Sequence, residues 1–263
     1  MIKLIGKSEK AALVGKNINL TYDDLLLRID QYARLLNGIS NERIVIFSEN
    51  RTEWIVAVYA IWKTGSILVP IDALSAQEDI SVILKDSVPR VVFCSAEKQA
   101  LMRRSLAEVG QAPEVFIFDD LPEEQSVHET EDFCIQDHER TAMILYTSGT
   151  TGNPKGVMLS FENILTNLIA VCHDVVIYTP DDRVMILLPF HHVLPLVGTI
   201  IAPLYVGATM VLNTSLAAED MMATLKQYGV SMMIGVPRLY QLIYKGLKEK
   251  INSSAIARTM LKI

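Results

Sequence analysis

The chain has 263 residues, of which half are hydrophobic and 21% are charged, with a net charge of −6. That length and apolar content allow a large buried core, or two lobes sharing one, and argue against a disordered chain. The acidic balance argues against a nucleic-acid binder working through a broad basic surface.

The N-terminus "MIKLIGKSEK" has no long apolar run and no cleavage signal, so secretion is not expected and a cytoplasmic location is. A first helix fits "TYDDLLLRIDQYARLLNG": Thr21 can cap it, Gly38 can end it, and Leu25, Ile29, Tyr32 and Leu36 share one face. "RIVIFSE" then reads as a buried strand, "RTEWIVAVYAIWKTG" as a helix stopped by Gly65, and "SILVPID" as another strand. Ser75 with Glu78 has the spacing of a capping box opening the helix "AQEDISVILKD". The alternation runs on through the strand "RVVFCS", a helix over 99–109 and the strand "EVFIFD".

Residues 121–140 turn acidic and polar, which predicts a solvated connector and a subdomain junction. Beyond it come the strand "TAMILYTS", a glycine-rich loop and a helix over 161–174. Further strands fit "RVMILLP", "ATMVLN" and "SMMIGV", with Pro237 at a first helical position. The apolar stretch 193–212 is long enough to cross a bilayer, but its two prolines and two glycines predict a buried core segment instead. Paired methionines at 221–222 and 232–233 read as core filling. Cys94, Cys134 and Cys172 lie far apart with no His-spaced cluster, which predicts buried thiols rather than a metal site. The expected fold class is α/β, with mainly parallel sheets flanked by helices and ligands gathering beyond the carboxyl ends of strands.

The glycine loop sits at such an end. "YTSGTTGNPKGV" packs three glycines, four hydroxyl side chains, a proline and a lysine into eleven residues after Tyr146. Glycines allow consecutive backbone N–H groups to face one side and form a nest of partial positive charge. Hydroxyls of Thr147, Ser148, Thr150 and Thr151 add donors, and Lys155 adds a full charge; polyphosphate is the ligand that matches all of these. The Walker-type pattern G-x-x-x-x-G-K-[ST] does not fit, because Asn153 and Pro154 separate Gly152 from Lys155, and Gly156 follows the lysine. On residue types alone, a flexible strand-to-helix turn with surface threonines is the alternative.

The stretch "YTSGTTGNPKGVMLS" resembles, without a gap, the phosphate-binding signature of the AMP-forming acyl-CoA synthetases and their adenylating relatives. That superfamily includes firefly luciferase and the adenylation domains of nonribosomal peptide synthetases. "AIWKTGSILVPID" is similar to the family's early K-x-G-x-x-x-x-P-x-D segment, through Lys63, Gly65, Pro70 and Asp72. "LPFHHVLPL" resembles the P-x-x-H segment, which puts the matching histidine at His192 rather than His191. "GVPRLYQLI" resembles the V-P segment, in particular that of the long-chain fatty-acid branch.

The resemblance implies a two-step reaction in which a carboxylic acid is activated with Mg-ATP to an acyl-adenylate, then passed to coenzyme A as a thioester. It implies that Thr147, Ser148, Gly149, Thr150, Thr151, Gly152 and Lys155 cradle the β- and γ-phosphates. His192 would lie beside the acid and nucleotide as the catalytic candidate, and Val236 and Pro237 would wall the acyl pocket. Protein-held metal ligands are not expected. ATP, Mg2+ and coenzyme A are thus the implied co-substrates, a fatty acid the implied acid, and nucleic acid no partner. Long-chain substrates partition into bilayers, so peripheral membrane contact by a longer parent enzyme is compatible with the resemblance.

The family's later segments, Y-G-x-T-E and T-G-D, and its small C-terminal domain with a catalytic lysine have no counterpart here. The expectation is therefore that residues 1–263 are the front part of the AMP-binding N-terminal domain, a truncated, split or proteolysed form of a longer ligase with little or no activity alone. The rival expectations are a domain that activates amino acids or other acids, and a non-catalytic phosphate- or nucleotide-binding module.

Overall fold

The computed structural model describes residues 2–122, 130–148, 154–213 and 215–253. Thirteen strands are seen among them: β1 Ile2–Ile5, β2 Ala11–Gly15, β3 Ile18–Thr21, β4 Arg43–Phe47, β5 Ile67–Ile71, β6 Val91–Cys94, β7 Glu114–Ile117, β8 Phe133–Ile135, β9 Thr141–Ser148, β10 Pro154–Ser160, β11 Arg183–Ile186, β12 Thr209–Leu212 and β13 Met232–Met233.

They form a six-stranded sheet in the order β10-β9-β5-β4-β6-β7, a five-stranded sheet in the order β13-β11-β12-β2-β3, and a small β1-β8 pair. Pairing is parallel except in β10-β9, β2-β3 and β1-β8, so the expected mainly parallel α/β class is what forms. Each large sheet draws strands from both sides of the 121–140 connector: β9 and β10 join β4–β7, while β11–β13 join β2 and β3.

Strand alternation builds the layers. Ile44, Ile46, Val91 and Phe93 face a central core with the helices Tyr22–Leu35, Thr52–Lys63 and Phe161–Ile169, which also receives Val184, Ile186, Met210 and Leu212 of the other sheet. Val45, Phe47, Val92 and Cys94 point the other way, against the helices Gln77–Ser87 and Ala96–Val109. Met185 and Leu187 pack outward with Met221 of the helix Ala218–Gln227 and Leu239 of the helix Pro237–Ser253. A side-chain period of two thus makes every central strand apolar on both faces. The helix Thr52–Lys63 lies between the sheets, and its residues from Trp54 to Trp62 are all buried.

Local signals decide the element ends, with some departures. Thr21 caps its helix in a full capping box with Asp24, donating and accepting at 2.9 and 3.0 Å. The capping box expected at Ser75 and Glu78 does not form: Ala76 occupies the N-cap with no side-chain bond, and the Ser75 amide is spent on the Asp72 carbonyl. A capping box forms instead at Ser160 with Asn163. The helix predicted over 161–174 changes to a π-turn at Ala170–Asp174. The stretch 193–212 is largely buried, as expected; its helical part, Val193–Val206, contains a π-turn at Leu196–Ile201 between its two prolines. Proline's missing amide is a usual cause of such a local rewinding. Of the methionine pairs, Met221 fills the core and Met222 is exposed. Cys94 and Cys172 are buried, which pushes both thiols up to about 11, and Cys134 is half-buried. Among the described residues no helix is long and apolar enough to cross a membrane.

Candidate functional site

The loop read as a phosphate cradle joins two antiparallel strands rather than a strand and a helix. β9 runs parallel to β5, and β10 returns against it with Pro154 opposite Ser148, Lys155 opposite Thr147 and Gly156 opposite Tyr146. Directly opposed residues in such a ladder project to the same face. Thr147 and Lys155, both exposed, therefore share one face at the neck of the loop. Gly149, Thr150, Thr151 and Gly152 lie outside the described residues, as does the side chain of Ser148.

The neck is braced. The Tyr146 hydroxyl donates to Asp86 Oδ2 at 2.5 Å, tying β9 to the end of the helix Gln77–Ser87. Burial, and then the neighbouring carboxylate, push the Tyr146 phenol well above its ordinary range, so it stays protonated and donating. Across the hairpin the tyrosine ring lies over Gly156, where an added Cβ would sit 3.2 Å from Tyr146 Cζ and 2.8 Å from Ile144 Cγ2. The glycine after the lysine thus has a packing reason: it admits the ring. Neither contact could be read from the loop's own composition.

The histidine pair arrives from the other sheet. β11 ends at Ile186, and the segment 187–192 carries the chain over the carboxyl end of the six-stranded sheet. There Asn50, just past β4, donates from Nδ2 to the Leu188 carbonyl at 2.8 Å and accepts the Phe190 amide at Oδ1, 3.0 Å away. Phe190 is buried against Trp54, ring centroids 5.0 Å apart. His191 Nε2 lies 3.6 Å from Asp72 Oδ2, just beyond β5, too long for a hydrogen bond, and that buried nitrogen has no hydrogen-bond partner. Burial lowers His191 to about 4, Asp72 pulling the other way and His192 adding to the fall, so His191 is neutral at pH 7. The two imidazoles lie 3.9 Å apart between centroids, tilted by 51° to each other. His192 occupies the N-cap of the helix that follows, yet its ring makes no cap bond and stays exposed.

Asp72 links the two halves of this arrangement. The parallel register Leu68↔Met143, carried four residues further, brings Asp72 level with Thr147 on the adjacent strand. The carboxyl ends of β4, β5, β9 and β11 therefore meet around Asp72, Thr147, His191 and His192. Val236 and Pro237, both exposed, follow β13, which pairs in parallel with β11 and so ends on the same side. His192, Thr147, Lys155, Val236 and Pro237, the described residues that sequence reading singled out, lie at this end of the sheets; Asn50, Asp86 and the contacts of His191, whose partners are distant in the chain, were not read from the sequence.

Comparison with known proteins bears on the family and the fold. The sequence pattern of the family described as AMP-binding enzyme matches residues 5–261. The mitochondrial malonate–CoA ligase of Bos taurus is 29% identical over 250 residues, covering 88% of this chain and 42% of that protein. Tyrocidine synthase 3 of Brevibacillus parabrevis is 31% identical over 248 residues, 89% of this chain and 4% of that one. Among solved structures, ATP-bound MatB from Rhodopseudomonas palustris superposes with a TM-score of 0.76 at 24% identity, over 89% of this chain and 48% of that one. The o-succinylbenzoate CoA synthetase of Bacillus subtilis with AMP gives 0.78 at 22% identity, over 90% and 61%. The structural likenesses speak for the fold, and the chain spans 4% to 61% of the length of these proteins.

Proposed function

The chain belongs to the AMP-binding enzyme family, and on that premise we propose that it is the front part of an adenylate-forming acid–thiol ligase. In this reading a carboxylate oxygen attacks the α-phosphorus of ATP, the bond to the bridging oxygen of the β-phosphate breaks, and pyrophosphate leaves. A thiol, coenzyme A, then attacks the acyl carbonyl, loses its proton and expels AMP. Catalysis of the first step is mostly positioning and neutralisation of charge on the leaving phosphates.

The observation that carries the reading is the braced hairpin neck, which sets Thr147 and Lys155 side by side within the gapless signature of residues 146–160. Thr147 and Lys155, with the 148–152 segment between them, hold the β- and γ-phosphates. His192, exposed beside His191 at the start of the following helix, is in this reading the group next to the acid and the α-phosphate. Mg2+, when bound with ATP, would neutralise phosphate oxygens; among the described residues no group of three carboxylate, histidine or cysteine side chains converges to hold it.

For the acid we propose an apolar carboxylate, a fatty acid in the first instance. Val193 and Leu194 beside His192, and Val236 after β13, are exposed apolar side chains at the same end of the sheets, which supports an apolar wall. The second candidate is an amino acid or another acid, supported by the resemblance to adenylation domains and by relatives named for malonate and ferulate.

Calorimetry with ATP or pyrophosphate tests the cradle. We expect binding by the 263-residue chain and a loss of about tenfold or more in Lys155→Ala, the scale of one charge-assisted hydrogen bond. Equal affinity of the two chains would remove Lys155 from the site. A series of carboxylates of increasing chain length, offered together with ATP, tests the acid.

A further inference from the structure

We infer that Asn50 is a positioning residue that sets His192 against the sheet carrying the phosphate loop. The inference rests on the reading of His192 as a site residue, but its geometry stands apart from that reading. His192 belongs by sequence to β11 and the five-stranded sheet, while Thr147 and Lys155 belong to the six-stranded one. A site assembled from both needs a fixed distance between them, and the strands themselves do not pair across the gap.

Asn50 supplies that reference. Its amide uses one donor and one acceptor on the two ends of a three-residue segment, the Leu188 carbonyl and the Phe190 amide. A neighbouring strand would offer the same donor and acceptor, so the side chain stands in for one rung of a ladder that the two sheets do not share. Pro189, between them, has no amide to donate, so no competing backbone bond starts from it. The Phe190 ring, buried against Trp54, closes one side of the segment, and Asp72 beside His191 closes the other. Asn50, Trp54 and Asp72 all belong to the β4 and β5 side. The histidine pair is therefore held by the sheet it visits as well as by the sheet it comes from. Aspartate cannot replace Asn50, since it keeps the acceptor for Phe190 and loses the donor for Leu188.

The test is proton–carbon NMR of the histidine rings in the 263-residue chain, with urea unfolding and ATP titration alongside. In Asn50→Ala we expect loss of the ring-to-ring Overhauser contact between His191 and His192 and a moved His192 Cε1–H resonance. The control is Ser105→Ala, which removes a buried hydroxyl bond to the Leu101 carbonyl within the helix Ala96–Val109, away from the loop. It should lower the urea midpoint and leave both histidine signals in place. Should Asn50→Ala fail to fold, Asn50→Asp takes its place, with the same changes expected in smaller degree. Histidine signals in the Asn50 variant that match those of the control would overturn the inference. If ATP leaves the His192 resonance of the unsubstituted chain unmoved, the site reading of His192 fails, while the Overhauser contact still decides whether Asn50 positions the pair.

Discussion

The six-stranded sheet contains two kinds of strand, and the contrast separates what stabilises this protein from what it offers to a ligand. β4 and β6 are flanked by strands on both edges and by helices on both faces, and nearly every residue in them is buried. β10, at the edge of the same sheet, is exposed from Lys155 to Met158. The central strands draw their stability from apolar burial, which is non-directional and large. The edge hairpin is held by a few specific contacts: the Tyr146 hydroxyl on Asp86, and the ring over Gly156. A loop carried on such a hairpin can have an exposed outer strand because the central strands behind it do not depend on that strand for their burial.

Truncating the centre should have the largest effect. Trp62 is fully buried between the sheets, edge-on to Tyr59 and Phe161, with its indole N–H on the Ala142 carbonyl at 2.8 Å. Trp62→Ala should cost about 3–5 kcal/mol in urea unfolding. A cost no greater than that of an edge substitution would break the comparison. Gly156→Ala comes next: its new methyl meets Ile144 and the tyrosine ring, and about 1–3 kcal/mol of destabilisation is expected from overpacking. Pyrophosphate affinity should fall with it, because the neck must open, and unchanged affinity would show that the brace does not reach the loop.

Acid should act at the junction of the sheets. His191 is a base whose folded value, about 4, lies below its ordinary 6.5. Above pH 6.5 it is neutral folded or unfolded, and its contribution is fully present; as pH falls from 6.5 towards 4 the unfolded chain takes the proton first, and stability is lost. Replacing His191 by glutamine should flatten the stability profile over that window, and an equally steep profile would count against the burial argument. The smallest effect is expected from Tyr146→Phe, which gives up the bond to Asp86 and keeps the ring over Gly156. Equilibrium unfolding should show a loss of about 0.5–1.5 kcal/mol. A larger drop than Gly156→Ala would mean that the hydroxyl, and not the packing, holds the neck.

Much of this was legible residue by residue. Apolar runs such as "RIVIF" gave strands, and their lack of polar alternation predicted burial on both faces. Thr21 with Asp24 showed a cap because all its partners lie within one turn. The spacing Ser75–Glu78 looked equally good and failed, since the Asp72 carbonyl engages the Ser75 amide and the helix begins one residue later. Capping signals are local, and a competing local bond is enough to cancel them. At the candidate site, the loop and His192 could be singled out from sequence because their patterns lie in contiguous residues. Asn50 was not found, because nothing near it in sequence distinguishes its amide from a surface one.

By itself the sequence determined the class of the fold and most of its strand–helix alternation, though not the strands β1 to β3, β8 and β10. Both depend on residue type and short spacing, through hydrophobic period. Only the tertiary structure decided that the loop tips a strand hairpin, that Tyr146 rests on Gly156, and that the two sheets meet through Asn50, Asp72 and His191. Tyr146 and Gly156 meet only because the hairpin folds back, and the Asn50, Asp72 and His191 contacts join residues more than a hundred positions apart, which only packing brings together.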